Sequence, residues 1–268
     1  MTVRRLLTTA TALSMLLLAS IGIVSAASMS TASAADGFDK AKFNARTDAY
    51  MREHPVDPLG LKKFWDSMGV ELLSVTYPDY GVRAATPAEA DRLLRQRSSG
   101  RSLAALPSDT FTVSGSIGYI TRTGEYVVQG NWNFKNSFVG GDPTPTDMAG
   151  LSVRSNCYNV RGTYWSIYDY AGNGHNGLGY LYDAQPDGDT ALAIEDRVSG
   201  FVLYSDNGNL RYFMRASGCY TRDFQASFSF EHNQESGVVT SVSINLGIFN
   251  VSYSTTPLKL KKSTGIFS

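Results

Sequence analysis

His175 is the side chain in this sequence best suited to moving protons, because imidazole titrates near neutral pH. It lies in the stretch GNGHNG, with Asp169 before it and Asp183 after it. A carboxylate near a histidine can take part in acid–base chemistry, and glycines let a substrate approach the backbone. The same composition is typical of a turn that tolerates positive φ. The sequence favours the turn, and we assign no catalytic residue.

Motifs for other kinds of catalysis are missing from the sequence. It contains no Gly-x-Ser-x-Gly elbow, no His-Glu-x-x-His and no Cys-x-x-Cys. A hydrolase that acts on polysaccharides remains an alternative, because two converging carboxylates are enough to cleave a glycosidic bond. The acids that could form such a pair are Glu125, Asp169, Glu195, Asp196 and Glu231.

The stretch DAQPDGDT places three carboxylates, Asp183, Asp187 and Asp189, within seven residues. Oxygen ligands on a tight loop are what calcium prefers. The stretch lacks the length and the closing glutamate of the helix-loop-helix calcium motif. We therefore expect no cofactor, with calcium at these three acids as the alternative to a solvated turn.

Tyrosines form the more informative pattern. Tyr164, Tyr168 and Tyr170 share one parity along a predicted strand, and Tyr180 and Tyr182 share one parity along the next. If the two segments pair through the AGNGHNG loop, the rings form a row on one face of a sheet. Such a row suits sugar rings or a protein partner. The alternative places these tyrosines beneath a loop or beneath helices from the N-terminal region.

Residues 107–268 show the period of two that is typical of antiparallel strands. In EYVVQGNWNF, Tyr126, Val128, Trp132 and Phe134 share one face, and polar residues share the other. We expect nine to eleven strands in a jelly-roll-like β-sandwich, with one side of each sheet in water. In VSINLGIFNVSYS the apolar face switches near Gly247, which predicts a bulge, a corner or a hairpin there. The same stretch is also the basis of a secreted-toxin alternative, because it alternates like a pore-forming hairpin.

The first 34 residues are predicted to be a signal peptide. MTVRR is basic, an uncharged apolar run follows, and cleavage fits either Ala32-Ser33-Ala34 or Val24-Ser25-Ala26. The chain after residue 34 carries 22 basic and 24 acidic residues. This balance argues against nucleic-acid binding, which needs clustered positive charge. We expect a secreted protein with no stable membrane span after cleavage.

Residues 35–106 are predicted to form a helical N-terminal region with a linker. Asp57-Pro58 and Thr86-Pro87 are both typical of helix starts, and a weaker helical period covers FDKAKFNARTDAYMRE. This region either caps the following domain or is a pro-segment that is removed at the arginines between residues 95 and 101.

Cys157 and Cys219 are the two cysteines of the chain. In a secreted protein the two are expected to form one disulfide.

The order GNWNF, GGDPTPTDMAGL, VSGFVLYSDNGNLRYF and then a cysteine resembles secreted β-rich actinobacterial proteins of unassigned function. The resemblance covers roughly residues 120–255. It implies a secreted location and a sandwich-like domain, and it carries no catalytic residues. The sequence therefore favours a non-catalytic secreted protein that binds a glycan or a protein partner.

Overall fold

The protein is described here from a computed structural model of the chain. The structure describes residues 37–54, 57–76, 111–134, 146–153, 158–169, 171–184, 188–195, 197–199, 202–204, 207–216, 225–233, 238–255 and 259–267. The predicted signal peptide, the helix expected at Thr86, and both Cys157 and Cys219 lie outside these residues.

Two short helices come first, and each begins at a capping aspartate. Helix α1, Lys40–Glu53, follows Asp39, whose carboxylate accepts a hydrogen bond from the Lys42 amide at 2.9 Å. Helix α2, Pro58–Asp66, follows Asp57, which accepts from the Gly60 amide at 2.8 Å. These caps satisfy amides that have no partner within the helix. The two helices predicted for this part of the chain are confirmed.

The rest of the described chain consists almost entirely of strands. They are β1 Val70–Val75, β2 Phe111–Ile120, β3 Glu125–Phe134, β4 Thr146–Val153, β5 Tyr158–Tyr168, β6 Gly179–Ala184, β7 Thr190–Glu195, β8 Val198–Ser199, β9 Val202–Leu203, β10 Asn207–Ala216, β11 Ala226–Asn233, β12 Val239–Asn245, β13 Ile248–Tyr253 and β14 Lys259–Phe267. The described strands outnumber the nine to eleven expected, partly because β8 and β9 are only two residues long.

The strands form two five-stranded antiparallel sheets. The first sheet has the order β1-β2-β3-β10-β5, and the second has the order β14-β11-β4-β7-β6. Strand β1 pairs with β2, so the predicted helical region also supplies an edge strand of the first sheet. The inner faces of the two sheets share one apolar core. The prediction of a mainly β, antiparallel sandwich with a short helical N-terminal region is confirmed.

The core is packed most closely where β11 crosses β3. Trp132 stacks on Phe230 with ring centroids 5.1 Å apart and planes 13° apart. Phe228 lies directly against Gly130, where an added Cβ would come within 1.9 Å of the Phe228 ring. Glycine is therefore required at position 130 because the ring occupies the space that any side chain would need.

Both outer faces are covered as well, which corrects the expectation that one side of each sheet meets water. Helices α1 and α2 pack on the first sheet through an apolar cluster that includes Phe43, Trp65 and Phe213. The hairpin β12–β13 packs on the second sheet through Phe249 and Val251. Polar residues predicted to be solvated are buried beneath these layers, namely Gln129, Asn131, Ser227, Ser229 and Glu231.

The hairpin β12–β13 explains the switch in apolar parity that the sequence shows. Asn245 pairs with Ile248, so Leu246 and Gly247 form a two-residue turn. Gly247 has φ +75°, a conformation that glycine adopts without strain. The hairpin was one of the three structures predicted for this position.

No helix within the described residues is long and apolar enough to cross a membrane.

We expect Gly130→Ala to destabilise the fold by roughly 1–3 kcal/mol, because the new methyl group overlaps the Phe228 ring. Gly162→Ala is the matched control, since Gly162 also lies in a strand but an added Cβ there meets nothing within 4 Å. Urea unfolding of both variants measures the difference. Equal stability of the two variants would contradict the close approach of β3 and β11.

Candidate functional site

The predicted tyrosine residues divide between the two sheets. Strand β5, with Tyr164 and Tyr168, pairs with β10 at the edge of the first sheet. Strand β6, with Tyr180 and Tyr182, pairs with β7 at the edge of the second sheet. The predicted pairing of the two segments is therefore wrong, because the intervening loop carries the chain from one sheet to the other. Tyr170 lies outside the described residues.

Tyr164 and Tyr168 belong to the covered outer face of the first sheet. The Tyr164 hydroxyl donates a hydrogen bond to the Asp48 carboxylate of α1. Burial, and after it the nearby Asp48 carboxylate, raises the pKa of Tyr164, so the phenol stays protonated and donates. Tyr168 is only 3% exposed, and burial likewise raises its pKa. These two rings are not available to a ligand while α1 is in place.

Strand β6, by contrast, exposes three consecutive large side chains. Tyr180 is 48% exposed, Leu181 is 38% exposed and Tyr182 is 37% exposed. Tyr180 lies opposite Ala193, and Leu181 lies opposite Leu192. The register shifts between Leu181 and Asp183, so Tyr182 lies at a bulge in the ladder. A bulge in an edge strand redirects a side chain and interrupts pairing. We call Tyr180, Leu181 and Tyr182 the aromatic edge.

The opposite edge of the same sheet differs in character. Strand β14 carries Lys259, Lys261 and Lys262, and charged residues on an edge strand oppose pairing with another chain. The Lys259 amine contacts Glu231 Oε1 at 3.0 Å and the carbonyl of Val251 at 3.1 Å. Strand β6 carries no lysine, and its one charged residue, Asp183, is half-buried. Of the two edges of the second sheet, only the aromatic edge presents apolar rings in this way.

The loop between β5 and β6 holds the aromatic edge against the first sheet. Asn176 accepts a hydrogen bond from the Ile167 amide at 2.9 Å, and its carbonyl accepts from the Trp165 indole at 3.3 Å. An added Cβ at Gly179 would lie 2.8 Å from Ile167 and 2.9 Å from the Trp165 indole nitrogen. Strand β6 therefore starts in direct contact with the inner face of β5, and its position is fixed before any ligand binds.

His175 is held more firmly than a simple turn residue would be. Its Nε2 lies 3.1 Å from Asp169 Oδ2, and its ring stacks on Tyr204 at 4.3 Å with planes 6° apart. Asp169 also accepts from the Asn173 amide at 2.9 Å. Burial acts to raise the pKa of Asp169, but hydrogen bonds from Asn173 and His175 outweigh it and hold that pKa below its ordinary value. Tyr204 could not be identified from local sequence, because stacking between distant loops has no characteristic spacing.

A second histidine–aspartate pair lies inside the sandwich. His232 Nδ1 is 2.9 Å from Asp147 Oδ2, and both side chains are fully buried. The Asn233 amide also donates to Asp147, at 2.8 Å. The His232 ring meets Phe134 edge-on at 5.1 Å. This pair could not be predicted from local sequence, because its partners are 85 residues apart.

Two of the acids considered for a hydrolase, Glu125 and Glu231, lie far apart in the fold. Glu125, on β3, forms an ion pair with Lys40 of α1 at 2.9 Å. Glu231, on β11, forms one with Lys259 at 3.0 Å. These two carboxylates lie on the outer faces of different sheets, so they cannot flank one glycosidic bond. Glu195 is exposed at the end of β7, and Asp196 lies outside the described residues.

Two of the three predicted calcium ligands, Asp183 and Asp189, lie within the described residues. Asp183 is half-buried in β6, Asp189 accepts a hydrogen bond from the Ser152 hydroxyl, and Asp187 lies outside the described residues. Within the part of the chain that the structure describes, no group of three or more His, Cys, Asp or Glu side chains could hold a metal ion.

Sequence analysis also missed a polar cluster between α1 and the first sheet. Arg211 is fully buried on β10 and donates to Asn44 at 2.7 Å, to Asp48 at 3.2 Å and to Gln129 at 2.6 Å. Burial lowers the pKa of Arg211, and Asp48 acts in the opposite direction. Asn209 donates to the same carboxylate of Asp48 at 3.1 Å. The alternation of β10 does place Arg211 on the outer face, but it cannot show that a helix covers that face.

We expect Arg211→Met to destabilise the protein by about 3–5 kcal/mol, because it leaves the Asp48 charge buried without its cation. The double variant Arg211→Met with Asp48→Leu should recover most of this loss, since it removes both charges together. Urea unfolding measures both. A loss below about 1 kcal/mol for the single variant would mean that Asp48 reaches water, contrary to its burial.

Asp169 should contribute to acid stability. Because its pKa is lower in the folded state than in the unfolded state, its contribution is complete above the unfolded value near 4 and disappears as pH falls through the folded value. We expect Asp169→Asn to flatten the fall in unfolding free energy below about pH 4. Asp66→Asn, which alters an exposed ion pair with Lys62, is the comparison. An unchanged acid slope in Asp169→Asn would contradict the lowered pKa that hydrogen bonds from Asn173 and His175 give this carboxyl.

No family model matches this sequence, and no curated protein matches it either. Among solved structures, the chain is similar to the collagen-binding subdomain of the Enterococcus faecalis surface protein ACE. That similarity has a TM-score of 0.28 and 12% sequence identity, and it covers 51% of this chain and 84% of the ACE subdomain. Collagen binding belongs to that protein, and the similarity assigns no ligand to this one. The fold described here follows from its own sheet topology.

Proposed function

We propose that this chain is a non-catalytic binding protein that acts outside the cell and holds a glycan through its aromatic edge. The observation that carries the proposal is the exposure of three consecutive large side chains on one edge strand. Tyr180 lies on the outer face of the second sheet beside Ala193, Leu181 lies on the inner side beside Leu192, and Tyr182 lies at the bulge. Single exposed apolar residues are ordinary, but three in succession along one sheet edge suit a contact surface.

The chemistry of the aromatic edge suits sugars. A tyrosine ring packs against the apolar face of a sugar, and its hydroxyl can bond to the sugar hydroxyls. The rings are carried by a strand that pairs with β7 and starts against β5, so they lose little freedom on binding. Binding is favoured when the surface is fixed beforehand.

The bulge at Tyr182 favours side-chain contacts over strand addition. A partner that adds a strand needs a regular row of free amides and carbonyls along the edge. The register shift between Leu181 and Asp183 breaks that row. A protein partner that docks by its side chains remains compatible with the same surface, and the experiment below separates it from a glycan.

Action outside the cell is supported by the sequence. The first 34 residues combine a basic start, an uncharged apolar run and small residues at two possible cleavage sites. The resemblance to secreted actinobacterial proteins agrees with this location. A disulfide between Cys157 and Cys219 would fit the same compartment.

A polysaccharide-acting hydrolase is the second candidate, and the His175–Asp169 pair is the observation that favours it. A half-exposed imidazole held by a carboxylate has the arrangement of a general base. Glu125 and Glu231, however, lie on different outer faces and cannot supply the paired acids that such hydrolases use.

The hairpin β12–β13 has features that do not favour the toxin alternative. Its strands have 7 and 6 residues, whereas a membrane-spanning strand needs about 9–11. Its apolar face packs on the second sheet through Phe249 and Val251.

We expect the double variant Tyr180→Ala, Tyr182→Ala to lose affinity for insoluble polysaccharide by about tenfold or more, because each ring contributes roughly 0.5–1.5 kcal/mol of stacking. Co-sedimentation with cellulose, chitin and purified bacterial cell wall measures the binding. Ile266→Ala is the matched control, since Ile266 is 55% exposed on the opposite edge of the same sheet.

Retention of all polysaccharide binding by the double variant would refute the aromatic edge as the site. Binding of extracellular proteins but of no polysaccharide would replace the glycan by a protein partner. Release of reducing sugar that is abolished by Asp169→Asn would favour the hydrolase.

A further inference from the structure

A polar site distinct from the aromatic edge lies on the outer face of the first sheet, under helix α1. Three donors from the first sheet converge on the Asp48 carboxylate. They are Arg211 Nη2 at 3.2 Å, Asn209 Nδ2 at 3.1 Å and the Tyr164 hydroxyl. All three come from strands, and the acceptor comes from the helix. The sheet therefore offers a set of donors matched to one carboxylate.

Neighbouring strands also contact the guanidinium of this set. Gln129 Oε1 accepts from Arg211 Nε at 2.6 Å, and Gln129 in turn donates to Asn131 at 2.5 Å. Asn131 continues the chain of bonds to Ser114 at 3.1 Å. The guanidinium is thus oriented by neighbouring strands, and its two remaining nitrogens point toward α1.

Polar side chains continue along the same face beyond the carboxylate. Cross-strand neighbours on β2, β3, β10 and β5 form three successive rows of four residues. The first row is Ser116, Gln129, Arg211 and Tyr164, the second is Ser114, Asn131, Asn209 and Ser166, and the third is Thr112, Asn133, Asn207 and Tyr168. We call this set the polar face. Its amides and hydroxyls are the groups that hydrogen-bond to a polar ligand.

The fit between α1 and the polar face is incomplete. Asn209 Oδ1, Ser116 Oγ and Thr47 Oγ1 are buried and accept or donate no hydrogen bond within the described chain. Each such group carries a desolvation cost, and natural permanent contacts contain few of them. The hairpin on the second sheet shows the alternative, because there Phe249 and Val251 meet Met148, Ala191 and Ala193 in an apolar contact.

We propose that the polar face is a binding site for a carboxylate-bearing ligand and that α1 occupies it with Asp48 as a tethered substitute. The ligand places its carboxylate where Asp48 lies and its hydroxyl or amide groups along the neighbouring rows. An acidic sugar and an acidic peptide side chain share this chemistry. To displace α1, the ligand must also offset the loss of the apolar burial of Phe43 and Met51. It therefore binds weakly while Asp48 is present.

The test uses the full chain with Asp48→Ala, which removes the substitute carboxylate and keeps the donors. Asp66→Ala is the matched control, because Asp66 is also a helical carboxylate but pairs only with exposed Lys62. The probes are galacturonate, N-acetylglutamate, neutral galactose and formate. Calorimetry measures their binding, and amide hydrogen exchange measures the protection of residues 40–53.

We expect galacturonate, N-acetylglutamate or both to bind Asp48→Ala saturably, at least tenfold more tightly than galactose, and to speed exchange in α1. The acid that binds identifies a sugar or a peptide as the source of the carboxylate. Adding Arg211→Met should abolish this binding. Adding Tyr180→Ala and Tyr182→Ala to Asp48→Ala should leave this binding unchanged, so this proposal and the one for the aromatic edge can fail separately.

The proposal would be overturned if formate were the only probe to bind Asp48→Ala and if it slowed amide exchange in α1. That result would mean that a small anion fills the space left by the Asp48 side chain while the helix stays in place. Failure of both larger acids to bind would overturn it equally. If Asp48→Ala does not fold, galacturonate and N-acetylglutamate are titrated into the unaltered chain against chloride of equal ionic strength. Faster exchange in residues 40–53 with either acid then supports the proposal, and unchanged exchange with both refutes it.

Discussion

The contact between the inner faces of the two sheets is the constraint on which the rest of the structure depends. Phe228 and Phe230 of the second sheet lie directly on Gly130 and Trp132 of the first. This close packing fixes which strands face each other, and it brings the start of β6 against β5 at one side of the sandwich. Both candidate surfaces are defined by it. The aromatic edge lies on β6, the strand that starts against β5. The polar face is the outer side of the first sheet, whose inner side makes the contact.

The two outer layers use different physical chemistry. The hairpin β12–β13 is held by apolar burial and by lysine amines of β14 that reach its backbone carbonyls. Helix α1 is held both by apolar packing of Phe43 and by hydrogen bonds to Asn44 and Asp48. Burial of a charge with its partner adds less to stability than apolar packing of the same size. The contacts of Asn44 and Asp48 are thus of a kind that a polar solute can replace.

Strand positions could be predicted from the sequence, because alternation is a local property. Val128, Trp132 and Phe134 were expected in the core and lie there. Strand partners could not be predicted, since alternation assigns a residue to a face without naming the neighbouring strand. Tyr164 and Tyr180 were therefore expected on one sheet and lie on two. The covered outer faces were missed for the same reason, because Gln129 and Asn131 read as solvated when the helix above them is unknown. The stacking of His175 on Tyr204 joins loops far apart in the chain and leaves no trace in local spacing.

The extra residue at Tyr182 affects whether the protein can self-associate through this sheet edge. An open strand that displays two tyrosines and a leucine would ordinarily invite a second molecule to continue the sheet and then a third. Because the bulge interrupts the regular row of backbone amides, β6 is a poor template for the addition of further strands. The bulge thus lets β6 expose its rings while it discourages the pairing of another strand.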